Sequence, residues 1–306
     1  MKNLIKTYGA VILATIFWAF SFIWFKIANE AFRPLSIVFM RLLISMVLLT
    51  LFLAITRRFE KIRKEDRKYF LLLAFCEPFV YFLGESFGLT FVSSTVGSVL
   101  ISTIPVFAGI GAWIFYKEKL KALNYIGIII SFAGVLVFIL NRDGSLTIDP
   151  RGIGLLFLAV VSAVGYTLTL KKLAGTYNPI YIVNVQNIIG TLLFLPFFII
   201  FEVEHLSSVE FNPRSFVAVI ELAVFASSGA FIFFGFAVRK LGVTRSSVFS
   251  NLIPILTAVF AYFMIDEILT IQKALGMIIV ITGLFLSQAK KQGKRPDGTI
   301  LAGKTA

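Results

Sequence analysis

The feature that most constrains this chain is that it repeats itself once, with a geometry that only an inverted second copy can satisfy. A shift of 149 residues carries Pro105 onto Pro254, Glu118 onto Glu267, Leu120 onto Leu269, Gly127 onto Gly276 and Gly134 onto Gly283. Each copy contains about five apolar runs, each near the roughly 20 residues that cross a bilayer as a helix. An odd number of spans per copy forces the second copy into the membrane upside down. Inverted repeats recur in secondary transporters, with the solute site at the junction of the copies. The expected fold is therefore an all-α polytopic membrane protein of ten transmembrane helices in two inverted five-helix repeats.

Composition agrees. The chain is 58% hydrophobic and only 15% charged, with 34 Phe among 306 residues, and its mean hydropathy is +0.92. Soluble domains carry roughly 25% charged residues. A net charge of +13 raises the question of nucleic acid. The basic residues instead cluster between apolar runs, which points to membrane-flanking loops and to no nucleic-acid partner. The one cysteine, Cys76, lies inside an apolar run; it permits no internal disulfide and reads as a small buried hydrophobe.

Spans are expected at about 7–29, 35–56, 68–89, 94–115 and 122–140 in the first repeat (1–141). In the second repeat (150–290) they fall at about 152–173, 179–202, 216–238, 245–265 and 272–290. The first run is too long for a signal-peptide core and no A-x-A site follows it, so it is read as a retained helix. The tail 291–306, rich in Lys and Gly, is expected to be disordered. With the N-terminus inside, 22 of the 29 Lys and Arg fall in cytoplasmic segments and five in external ones; Lys26 and Arg41 lie within spans. That asymmetry predicts both termini in the cytoplasm. The repeat-related turns agree: Lys117-Glu118-Lys119-Leu120-Lys121 is basic, whereas Met264-Ile265-Asp266-Glu267 is acidic. The Glu is kept while the charge around it reverses.

The doubled motif set is recognisable. Ser94-Thr95-Val96-Gly97 enters a span with central Pro105, followed by the Glu118 turn and a Gly127/Gly134 helix. Val243-Thr244-Arg245-Ser246, Pro254, Glu267, Gly276 and Gly283 answer it in the second copy. Trp18 to Lys26 and Tyr166 to Lys171 precede Pro34 and Pro179. Over about 7–290 this resembles the drug/metabolite transporter superfamily, and within it the ten-span EamA-domain transporters. The resemblance implies a cavity between spans 1, 3 and 4 and their counterparts 6, 8 and 9. It also implies movement of small metabolites, amino acids among them, with export as the favoured direction. The setting it implies is a bacterial or archaeal plasma membrane, with the protein a monomer or weak dimer.

Candidate site residues follow from the cost of polar groups in lipid. Glu77 lies near the centre of the third span, where a charge costs roughly 2.5–3.5 kcal/mol on insertion scales. Tyr81 and Glu85 follow at i+4 and i+8, so a continuous helix would place all three on one stripe. Such a stripe suits an ammonium group or a proton relay, which makes protons a candidate partner. The alternative is a structural carboxyl paired with a cation. Pro78, Pro105 and Pro254 free backbone carbonyls at mid-span and are expected to kink their helices, with Ser102 and Asn251 at equivalent positions beside two of them. Trp18 and Tyr166 are deep enough to line a cavity. Arg41 and Lys26, toward the external side, are candidates for a gate or for an ion pair with Glu85. Gly127, Ser131, Gly134, Gly276 and Gly283 read as packing faces. One asymmetry stands out: positions equivalent to Glu77, Tyr81 and Glu85 in the second copy are Ala226, Ala230 and Phe234.

No catalytic residues, metal ligands or cofactor are expected, since there is no HExxH, no GxSxG and no intramembrane His. The rival readings are a membrane-embedded enzyme and a passive channel or lipid flippase. A channel would carry a filter sequence, and none stands out.

Overall fold

The structure is a computed structural model that describes residues 2–107, 122–140, 148–242 and 246–287. The turn around Glu118, the segment Val243-Thr244-Arg245 and the tail lie outside the described residues. Among the described residues, seven helices are long and apolar enough to cross a membrane: α1 (Ile5–Ala28), α2 (Pro34–Thr56), α3 (Lys64–Phe91), α6 (Pro150–Ala174), α7 (Pro179–Phe201), α8 (Pro213–Leu241) and α9 (Val248–Ile265). Three shorter apolar helices are α4 (Ser94–Phe107), α5 (Ala122–Phe138) and α10 (Ile271–Ser287). Long apolar side chains face outward on many of them; Ile55 is 81% exposed and Phe263 77%. Serines, asparagines and carboxyls lie inside. That arrangement is the reverse of a soluble protein and fits a lipid surround.

The starts of α6 and α8 precede the expected ones by a few residues, while α7 starts at Pro179 as expected, and all three starts have a local reason. The chain enters α6, α7 and α8 through Asp149-Pro150, Asn178-Pro179 and Asn212-Pro213. In each, the Asp or Asn side chain accepts backbone N–H groups of the first turn, as Asn178 Oδ1 does from Ile180 at 3.0 Å. Proline at N1 loses no helical hydrogen bond, and the cap satisfies an orphan donor. Capping chemistry, rather than hydropathy, therefore fixes where α8 begins.

Two pairs of interruptions occupy equivalent places. In α3 the residues Phe75–Val80 form a wide π-type turn, and Glu77 has extended backbone (φ −145°, ψ 118°) before Pro78. In α8 the residues Leu222–Ala230 are π-helical. In α4 the first helical stretch ends at Ile101, just before Ser102 and Pro105. In α9 a 3₁₀ turn, Val248–Leu252, precedes the α-helix that starts at Ile253-Pro254.

The two halves of the chain interlock. Helix α1 packs on α8 and α9, while α6 packs on α3 and α4; α2 packs on α8 and α3 on α7. Three further pairs, α2 with α7, α4 with α9 and α5 with α10, join like-numbered helices of the two halves. The α5–α10 contact is the closest. A Cβ on Gly127 would sit 2.1 Å from the Ser287 nitrogen, and one on Gly283 would sit 2.2 Å from the Ser131 nitrogen. Only glycine lets these backbones meet, which is how small residues drive helix association in lipid.

Candidate functional site

A cavity of about 90 Å³ lies inside the bundle, several times the roughly 10–15 Å³ that a single water needs. Helix α1 contributes Trp18, Ser21 and Phe22, α4 contributes Ser102 and Pro105, and α6 contributes Tyr166 and Thr167. Phe231 and Phe234 come from α8, Ser250 from α9 and Ser247 from the position just before α9. The third helix supplies Glu77, Tyr81, Phe82 and Glu85. These are the six helices that the resemblance implies, with one addition: Arg41 from α2 also reaches the cavity.

The charged side of the cavity is built by α3 and α2. The break at Glu77 means that the three polar residues of α3 do not ride on one continuous helix. The regular helix resumes at Tyr81, and Glu77 meets the cavity from the interruption before it. Tyr81 donates its hydroxyl to Glu85 Oε1 at 2.8 Å, the i, i+4 contact expected of helical neighbours. Arg41 donates through Nε to Ser227 Oγ at 2.8 Å, and its guanidinium lies 4.2 Å from the centre of the Phe82 ring. It lies within electrostatic reach of Glu85, Tyr81 and Glu77. Among the described residues Arg41 and Glu85 form no ion pair; the ion pairs there are Asp149–Arg151 and Glu30–Arg214.

The opposite side is aromatic. Trp18 meets Phe231 edge-on at 5.4 Å and Phe234 at 5.1 Å, and Tyr166 meets Phe231 edge-on at 5.9 Å. A wall of aromatic rings beside carboxyls offers a cation charge attraction and, over a ring face, quadrupole attraction. Among the described residues no group of His, Cys, Asp and Glu could hold a metal ion.

Four candidates lie elsewhere. Lys26 is partly buried and donates to the Leu89 carbonyl near the C-terminal end of α3, away from the cavity. Asn251 is fully buried but does not line the cavity, whereas Ser250 beside it does. Pro78 and Pro254 flank lining residues without lining the cavity themselves. The sequence reading missed the groups that hold Arg41. Ser45, one turn from Arg41, is bonded to Asn187 and Ser228; the i, i+4 spacing of Arg41 and Ser45 was the available signal.

Residues 5–140 and 150–288 match the model of the EamA-like transporter family. The chain belongs to that family. Two relatives come from Archaeoglobus fulgidus, both described as uncharacterized transporters. One is 26% identical over 286 residues, covering 94% of this chain and all of the relative. The other is 27% identical over 288 residues, covering 94% and 98%. The uncharacterized transporter YetK of Bacillus subtilis is 27% identical over 259 residues, covering 84% of this chain and 78% of YetK. A solved crystal structure superposes with a TM-score of 0.67 at 14% identity, covering 92% of this chain and 97% of its own, which shows a shared fold. The protein is thus an integral membrane protein of a transporter family, with a small-molecule substrate and a bilayer surround.

Proposed function

We propose that this is a ten-span carrier that moves small metabolites such as amino acids by alternating access, exporting them in exchange for protons. The observation that carries this reading is the interior cavity, walled by both halves of the chain and holding Glu77, Glu85 and Arg41 together. Such a site at the junction of two repeats is the arrangement that rocking-bundle carriers use.

Three observations support the finer points. Exchanging each helix for the one five places away maps α1–α8 onto α6–α3, α1–α9 onto α6–α4, and α2–α8 onto α7–α3. The paired interruptions in α3 and α8, and in α4 and α9, obey the same exchange. Contacts between helix ends also sort into two sets. Glu30 reaches Arg214, Ser94 reaches Glu267, and Ser36 reaches Glu202. At the other face Glu60 reaches Asn178, Asp66 reaches Tyr177, and Asn124 reaches Ser287. Ten alternating spans put the first set outside and the second inside. The excess of Lys and Arg on the second face makes it the cytoplasmic one, with both termini. The cavity is complete within one chain, as a monomer or weak dimer requires.

The charges support proton exchange. Two carboxyls face one guanidinium, so a proton on either carboxyl leaves the cavity without net charge. The Glu77 carboxyl makes no hydrogen bond to protein among the described residues while lining the cavity, which leaves it free to meet a solute or a proton. The test is transport in proteoliposomes under an imposed pH gradient. Glu77→Gln should abolish gradient-driven accumulation and spare slow downhill equilibration. Full retention of both activities would remove Glu77 from the mechanism.

A further inference from the structure

Arg41 is held in a way that a merely structural arginine would not need. Only Nε is spent on protein, on Ser227 Oγ at 2.8 Å. No other hydrogen bond is made by its side chain among the described residues, and the residue lines the cavity while only 3% exposed. The paired terminal nitrogens of the guanidinium are therefore available to the cavity. The guanidinium carbon lies 4.2 Å from the centre of the Phe82 ring, a cation–π contact that spends none of the N–H donors and leaves the terminal nitrogens for a ligand.

Behind Arg41 runs a directed chain of buried hydrogen bonds. Asn187 donates to Ser45 Oγ at 2.6 Å and to the Ser227 carbonyl at 3.3 Å. Ser228 donates to the Ala223 carbonyl at 2.8 Å. That donation spends the Ser228 proton, so Ser45 must be the donor across the 2.6 Å contact between the two hydroxyls. The proton directions run one way from α7 through α2 to α8. The chain ends on Ala223, whose carbonyl lies five residues before Ser228, within the π-helical stretch of α8. Buried networks of this kind fix geometry when every member is satisfied. Here the network fixes Ser227, and Ser227 fixes Arg41.

We propose that Arg41 is a specificity-determining residue: it anchors a carboxylate on the transported solute through its two terminal nitrogens, and Ser227 positions it. A planar fork of parallel donors matches a carboxylate in bidentate geometry. Charge selects the class further. With Glu77 and Glu85 both protonated, Arg41 balances one added negative charge, so a singly charged carboxylate fits and a doubly charged phosphate does not. When no solute is bound, Glu85, pinned by Tyr81, is the counter-charge for the guanidinium. This inference rests on the carrier reading and adds to it the requirement for an acid group.

The experiment uses the full chain in proteoliposomes exposed to a mixed extract of small metabolites, with accumulated solutes read by mass spectrometry. The solutes that wild type accumulates above protein-free vesicles should carry a carboxylate. Arg41→Gln should lower their accumulation at least tenfold, and Ser227→Ala about threefold. The methyl ester of an accumulated acid should enter equally through wild type and Arg41→Gln. Accumulated solutes without an acid group would overturn the proposal. So would acids that Arg41→Gln moves at the wild-type rate, or equal loss of acid and ester. If Arg41→Gln does not fold, Arg41→Lys keeps the charge without the paired fork. It should then lose acid more than ester, and equal loss would overturn the anchor. A wild type that accumulates nothing would overturn the carrier reading itself, whereas uptake independent of Arg41 would overturn only the anchor.

Discussion

The carboxylate of Glu267 closes the N-terminus of α4, accepting the backbone N–H of Ser94 at 3.0 Å. Its second oxygen accepts from Thr95 at 3.1 Å. One residue of the acidic turn between α9 and α10 thereby satisfies two orphan donors at a helix start in the other half. The same carboxylate is felt by the Lys26 ammonium. This gives the repeated glutamate a physical job: a negative charge at the positive end of a helix dipole, reached from across the repeat boundary.

Glu267→Ala should therefore destabilise the protein by about 1 kcal/mol, the usual worth of a capping side chain. Glu267→Gln keeps a hydrogen-bond acceptor and should cost less. Thermal unfolding in detergent, followed by tryptophan fluorescence, measures both. Equal melting temperatures for wild type and Glu267→Ala would mean that the cap contributes nothing.

Much of the fold was legible because a run of about 20 apolar residues has few other uses. Glu77, Tyr81, Glu85, Trp18, Ser102 and Tyr166 all line the cavity; a polar or amphipathic side chain at mid-span has to find a protein or water-filled environment. What stayed hidden depended on contacts far apart in the chain. Arg41 meets Ser227 across a separation of 186 residues, and no local spacing announces that. The break at Glu77 was half visible, since Pro78 marks a lost donor. The extended backbone at Glu77 itself was not, because helical periodicity carries no sign of it.

The two sides of the membrane can be told apart by labelling. In a Cys76→Ala background, cysteine at Ser208 should react with an impermeant thiol reagent outside intact cells, and cysteine at Lys61 should not. Both positions are exposed. The opposite pattern would invert the orientation and place the acidic Glu267 turn in the cytoplasm.

The α5–α10 contact should be intolerant of any added carbon. Gly283→Ala drives a Cβ to within 2.2 Å of backbone, so the helices must separate. Overpacking of this kind costs about 1–3 kcal/mol, and lower yield and melting temperature should report it. Gly154→Ala is the control, since nothing lies within 4 Å of that position. A Gly283→Ala protein as stable as the Gly154→Ala control would show that the two helices slide apart freely.

Ser250 and Asn251 are neighbours with different surroundings, and this separates site from scaffold on α9. Ser250 lines the cavity, while Asn251 is wholly buried outside its wall. Leucine at Ser250 adds three carbons to a space of about 90 Å³. Ser250→Leu should cut transport at least tenfold, because a solute must share that volume, and should leave the melting temperature within a few degrees of wild type. Leucine at Asn251 has to fit a packed interior and lacks the polar groups of the amide. Asn251→Leu should therefore lower stability by about 1–3 kcal/mol, with transport falling in proportion to the folded fraction. Measuring transport per folded molecule separates the two effects. If Asn251→Leu instead folds like wild type and loses transport, the amide serves the solute directly and the wall of the site extends one residue further along α9.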